Sequence, residues 1–192
     1  NMKVARFDFG TGDFKVWFAD NSEAKSIKLV GTLPLDKIEE TSKLIMESDI
    51  VSVDLSECEI ATFCKCEYKS EEENCDYYAD EILDFNGHAI SPLLKMFLNK
   101  RYSTQFVIKK GVVFSKDRKV IVHQEDEKTI KIPEGVEIIG RYAFSHYEKL
   151  AHIVLPDGLK EFGDNCMESL DNLHKLEMPD SVVKLGFSSF CY

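Results

Sequence analysis

The sequence contains no uninterrupted apolar run approaching the roughly 18 residues that a bilayer-spanning helix needs, so membrane insertion through a helix is not expected. Nor does it contain a cluster of Lys and Arg interleaved with aromatic residues. With 24 basic residues against 34 acidic ones, and a formal net charge of −10, the chain repels phosphate backbones, and nucleic acid is not expected as a partner. No nucleophile elbow, phosphate loop or ordered Ser–His–Asp spacing occurs, and His88, His123, His146, His152 and His174 are scattered. Gly10 and Gly12 fall between two predicted strands and not ahead of a helix, so they read as a turn and not as a dinucleotide fingerprint. The opening Met2–Asp8 lacks the apolar core of a signal peptide, and as it stands the chain reads as cytoplasmic. A secreted or cell-surface protein whose signal peptide has been removed is the alternative. No cofactor is implied.

What is present is an ordinary globular composition, 44% hydrophobic and 30% charged, in 192 residues. The acid is concentrated in the front half: residues 1–105 hold 20 acids and 12 bases, residues 106–192 hold 14 and 12. Four of the six cysteines lie between Cys58 and Cys75. Cys58, Cys64, Cys66 and Cys75 could ligate zinc, form disulfides or remain thiols. Their spacing has one C-x-C and no pair of C-x2–4-C knuckles, and the surrounding glutamates disfavour thiolates, so free thiols are the reading and no metal is expected. The acidic run from Glu71 to Asp84 lacks the ligand order of a calcium loop and reads as a solvated loop.

The decisive pattern is an internal repeat. Prolines fall at Pro133, Pro156 and Pro179 and glycines at Gly140, Gly163 and Gly186, each series advancing by 23 residues. At ordinary Pro and Gly frequencies that coincidence arises on the order of 10⁻⁵ of the time. Apolar positions repeat as well, as in Val136/Leu159/Val182, Ile139/Phe162/Leu185 and Phe144/Met167/Phe190. The residues before each proline alternate, with Ile153 and Leu155 inward and His152 and Val154 outward, which is the pattern of a half-buried strand ended by proline. Each glycine supplies a turn or a close backbone approach. One such unit cannot cover its own apolar face, so the units must stack. Val136, Ile139, Phe144, Leu150, Ile153, Leu159, Phe162, Met167, Leu173 and Leu176 are expected to form one buried stripe.

On these residues the segment IPEGVEIIGRYAFSHYEKLAHIVLPDGLKEFG resembles the BspA-like leucine-rich repeats of bacterial surface antigens and related proteins. Upstream, Phe106–Val122 resembles the hairpin that often precedes such repeats, with a turn at Ser115–Arg118, and Ile50–Ile60 resembles the strand of an N-terminal capping repeat. Cys166-Met167 replace Ala143-Phe144 in the second repeat, and Tyr147 and Leu170 stand where the family often has cysteine. The resemblance implies a binding module, in some relatives a cell-surface adhesin.

The remaining chain reads as strands at Met2–Asp8 and Phe14–Phe18 joined as a hairpin, a strand at Ser26–Val30, a helix over about 35–48, a strand at Val51–Leu55, an irregular insertion over 61–80, and a helix at Ser91–Asn99. The fold class is therefore α/β leaning to β: a leucine-rich-repeat solenoid over 106–192 behind an N-terminal α+β capping region over 1–105. Strand residues facing away from the core, Thr129, Lys131, His152, Val154, Lys175 and Glu177, are the expected partner-binding surface. That mix suits a protein or a glycan. The third repeat has nothing after it to cover its stripe, so Phe187, Phe190 and Tyr192 are expected to support self-association as a homodimer. Two alternatives to a non-catalytic binding module are a small enzyme with its site between the N-terminal region and the repeats, and a structural capping segment of a longer array.

Overall fold

A computed structural model describes residues 3–61 and 90–191. The expected 61–80 insertion, and with it Cys64, Cys66 and Cys75, lies almost entirely outside the described residues, as does Tyr192. The chain begins with β1 (Val4–Asp8), α1 (Phe14–Asp20), β2 (Ser26–Leu33), a 3-10 turn at Leu35–Lys37 running into α2 (Ile38–Met46), and β3 (Ser52–Ile60). These strands are parallel, with Val4 opposite Ser26 and Ser26 opposite Ser52, because a helix returns the chain to the same end of the sheet each time.

The expected strand at Phe14–Phe18 is a helix, and the hairpin does not form. The side chain of Asp13 accepts a hydrogen bond from the Val16 N–H at 3.2 Å and caps the helix. A strand would have placed Phe14, Val16 and Phe18 on one face. The helix instead turns Phe14 and Trp17 inward against Phe7, with ring centroids 5.2 Å apart for Phe7–Phe14, packs Phe18 against Phe14, and leaves Val16 in solvent.

The helix α3 (Pro92–Leu98) starts at Ser91, whose hydroxyl accepts from the Leu94 N–H, with proline in the first turn. An antiparallel meander follows: β4 (Gln105–Lys109), β5 (Val112–Ser115) and β6 (Val120–His123). The turn joining β5 to β6 is at Ser115–Lys119, where Asp117 accepts from the Ser115 hydroxyl and from the Lys119 N–H.

From there the chain is short strand and turn. The strands β7 (Thr129–Lys131) and β9 (His152–Val154) pair in parallel, with Thr129 opposite His152. In the other series β8 (Ile138–Ile139), β10 (Glu161–Phe162) and β11 (Lys184–Leu185) pair in parallel, with Ile138 opposite Glu161 and Glu161 opposite Lys184. Every one of these partners is 23 residues from its mate. The second series continues the N-terminal sheet through β6, giving a nine-stranded order β1-β2-β3-β4-β5-β6-β8-β10-β11; β7 and β9 form a separate two-stranded sheet.

The turns stack as regularly as the strands. Tyr142, Asn165 and Ser188 all adopt the left-handed conformation (φ 57°, 54° and 49°), and so do His146 and Ser169. For a bulky residue that conformation is costly, and here it aims backbone groups along the stack. Tyr142, Phe144 and His146 donate to the carbonyls of Asp164, Cys166 and Glu168; Asn165, Met167 and Ser169 donate to those of Phe187, Ser189 and Cys191. The repeated glycines mark close approach. A Cβ at Gly163 would lie 2.7 Å from the Ile139 carbonyl and 2.9 Å from the Arg141 nitrogen, distances no real side chain tolerates. Eight of the ten residues expected in the stripe are buried, from Val136 through Met167, while Leu173 and Leu176 are half-buried.

Candidate functional site

The strand face is built by the alternation of β7 and β9. Ile130 and Ile153 point into the core, which leaves Thr129, Lys131, His152 and Val154 exposed on the opposite side. Lys175 extends the ladder through a parallel bridge with His152, and its ammonium lies 2.6 Å from Glu177. The six residues therefore form two rows across successive repeats, Thr129–His152–Lys175 and Lys131–Val154–Glu177. His174 and His152 are both exposed, and among the described residues no group of three His, Cys, Asp or Glu side chains converges as a metal site would require.

The third repeat carries exposed apolar side chains. Phe187 is 80% exposed, and Val183 and Leu185 are exposed beside it. Phe190 is different: its ring packs 5.0 Å from that of Phe162 and is half-buried within its own chain. Of the two described residues expected to meet a second copy, Phe187 is thus the one that projects.

A third cluster escaped the sequence reading. Lys95 of α3 is completely buried where the helix meets the first repeat. Its ammonium reaches the Ala143 carbonyl at 2.7 Å, the Tyr147 hydroxyl at 3.0 Å and His123 Nδ1 at 3.1 Å. These three acceptors use all three of its donors. The Tyr147 hydroxyl donates a hydrogen bond to the Gln124 carbonyl, and His123 Nε2 faces the exposed carboxylate of Glu125 at 3.4 Å. Burial pushes the Lys95 amine down to about 7 against the opposing pull of Glu125 and Asp126. Burial, then the Lys95 charge, drives His123 far below its usual range, and burial pushes the Tyr147 hydroxyl up. The geometry therefore holds one cation in a neutral His–Tyr setting. One helical turn on, Asn99 is also fully buried; its amide donates to the Arg141 carbonyl at 3.0 Å and accepts from the Arg141 N–H at 2.7 Å. Lys95 and Asn99 lie four residues apart on a helix that is otherwise apolar on every side, which is the signal that a buried polar stripe was available to be read.

Beside this cluster lies an open groove of about 510 Å³, lined in part by Glu39, Ser42, Glu47, Ser91, His123 and Glu125. His123 is the one member of the cluster that reaches it. Lys95, with every donor engaged and no exposure, does not line the groove, and its contacts tie the N-terminal helix to the repeats. Cys58 is buried in the N-terminal core, where burial pushes its thiol up to about 12 despite the nearby Lys100.

Residues 123–192 match the family described as BspA type Leucine rich repeat region (6 copies). Residues 123–192 are BspA-type leucine-rich repeats. Among solved structures, the chain is similar to a leucine-rich repeat protein from Eubacterium ventriosum, at 21% identity and a TM-score of 0.40 over 42% of this chain and 23% of that one. It is also similar to the pneumococcal vaccine antigen PcpA, at 16% identity and a TM-score of 0.38 over 86% of this chain and 40% of that one. The chain thus spans less than half the length of either protein. No curated protein matches it. The BspA-type region takes in the whole strand face, from Thr129 to Glu177, and the C-terminal edge; Lys95 and Asn99 precede it.

Proposed function

We propose that this protein is a non-catalytic binding module whose 23-residue units form a leucine-rich-repeat solenoid, and that the strand face of the solenoid takes a protein partner. The observation that carries this reading is the pair of exposed rows, Thr129–His152–Lys175 and Lys131–Val154–Glu177, held in register by a buried core that their own strands share. Such rows give a rigid surface whose side chains can change without disturbing the stack, which is how repeat proteins acquire partners. The family to which the repeats belong is consistent with a binding role. A cytoplasmic setting remains part of the proposal, with a cell-surface one as its alternative.

The test begins with capture of the partner from the native organism. Replacing Lys131 and Lys175 by Glu should then weaken binding about tenfold or more while stability changes by less than about 0.5 kcal/mol, because both side chains are exposed. The Lys175–Glu177 pair lost in this variant is on the surface and contributes little. Unchanged affinity moves the site elsewhere. A second reading, self-association through the C-terminal edge, is favoured by the exposure of Phe187. Sedimentation at micromolar concentration should then show a dimer that Phe187→Glu dissolves; a monomer in the unsubstituted protein removes this reading.

A further inference from the structure

His123 is held in one protonation state by the groups around it. A lysine ammonium has donors only, so the 3.1 Å contact between Lys95 Nζ and His123 Nδ1 requires a bare Nδ1 and leaves the ring's single proton on Nε2, facing the Glu125 carboxylate. The Tyr147 hydroxyl lies 3.5 Å from Nδ1 but gives its hydrogen bond to the Gln124 carbonyl. A second proton therefore enters the ring only at Nδ1, where it breaks the Lys95 bond and sets two cations side by side in a residue 5% exposed. Little is at hand to offset them. Glu125 stands in solvent, Asp126 is engaged by the Glu148 and Lys149 N–H groups, and Glu39, Lys43 and Glu47 of α2 line the groove with His123 only as exposed side chains. The β4–β5 turn contributes the uncharged Gly111 there.

We infer that Lys95, His123 and Tyr147 form an acid-released latch: neutral His123 holds α3 against the first repeat, and its protonation frees the helix there while the stacked repeats stay folded. The repeats lie outside the latch because backbone bonds join them, such as those from Gly163 to the Ile139 carbonyl and from Gly186 to the Phe162 carbonyl, both 2.7 Å. Asn99 keeps the far end of α3 on Arg141, so opening is confined to the turn around Lys95 and the facing Ala143 and Tyr147. Release also places a cation among Glu39, Glu47 and Glu125, since His123 lines their groove. Burial and the Lys95 charge hold His123 below its ordinary value, so the opened form binds the extra proton. The stability of the closed latch is therefore fully present above about 6.5, the ordinary value of a free imidazole, and is lost as pH falls below it. None of this depends on what the strand face binds.

Amide hydrogen exchange of the full chain at pH 7 and pH 5, corrected for the intrinsic pH dependence of exchange, reads the latch directly. The Lys95 and Ala143 amides are bonded to the Ser91 and Gly140 carbonyls and report its opening. Their opening constants should rise about twentyfold between the two pH values, while those of Gly163 and Gly186 change by less than about twofold. His123→Asn places an amide oxygen where Nδ1 stood, an acceptor for Lys95 that takes no proton, and should hold the rise to about threefold or less. An equal rise at Gly163 and Gly186 would mean acid unfolding of the whole chain, and unchanged opening at Lys95 and Ala143 would mean that no latch releases; either result overturns the inference. So does a twentyfold rise that persists in a folded His123→Asn chain. Should that variant not fold, the ring nitrogens of His123 in the unsubstituted protein decide. Their chemical shifts should place the proton on Nε2 alone in the closed form at both pH values, and a proton found on Nδ1 there at either pH shows the inference to be wrong.

Discussion

Truncating Phe162 to Ala should lower stability by about 3–5 kcal/mol, among the largest losses available to a single substitution in this chain. Phe162 has no exposed surface. It sits in β10 between Ile139 of the repeat before and Leu185 of the repeat after, with the Phe190 ring 5.0 Å away. Its removal therefore opens a cavity at the meeting point of three successive units, and the left-handed turns pinned by inter-repeat hydrogen bonds leave the backbone little freedom to collapse into it. Phe187→Ala is the matched control: the same side chain, 80% exposed, should change stability by less than about 0.5 kcal/mol. Urea unfolding of both variants measures the difference. A loss below half a kcal/mol for Phe162→Ala would mean that the repeats do not stack in this register.

The second large effect belongs to Lys95. Lys95→Ala removes a completely buried side chain and strands the Ala143 carbonyl and His123 Nδ1 without their donor, and a cost of about 3–5 kcal/mol follows from the cavity and the unsatisfied acceptors together. Lys95→Met keeps the volume and separates the charge from the packing. With the amine near 7 in the folded chain and near its ordinary value when unfolded, the unfolded state binds the extra proton between those limits. Stability contributed at this position should therefore rise as pH increases above about 7. Between pH 7 and 9 the stability of the unsubstituted protein should increase relative to Lys95→Met by about 2 kcal/mol, a comparison in which the raised thiols of Cys58 and Cys166 act equally on both chains. A constant difference across that range would show that Lys95 titrates normally.

These two residues also mark what could and could not be read from the sequence. Phe162 was legible because the 23-residue period states its neighbours: strand partners advance by that interval wherever the repeats pair, and the apolar positions, the prolines and the glycines all keep it. The sequence left open whether the glycines served turns or close approach, and the crowding around Gly163 decides for approach. Phe14–Phe18 was misread because five residues, four of them apolar, satisfy a strand and a helix equally, and the deciding group, the Asp13 carboxylate, was taken for part of a turn. Lys95 was missed for a different reason. A lysine flanked by leucine and methionine is usually solvent-facing, and only the tertiary docking of α3 against Ala143 and Tyr147 supplies the acceptors that allow it inside. The outward strand residues needed no tertiary information, since alternation with Ile130 and Ile153 fixes their side.

The reading of the strand face as the binding surface is tested most directly by amide hydrogen exchange of the full chain with and without its captured partner. The account predicts slowed exchange confined to residues 128–131, 151–154 and 174–177, with the left-handed turns at Tyr142, Asn165 and Ser188 unchanged. Protection centred instead on the groove beside His123 and Glu125, with the three strand segments exchanging as in the free protein, would contradict it.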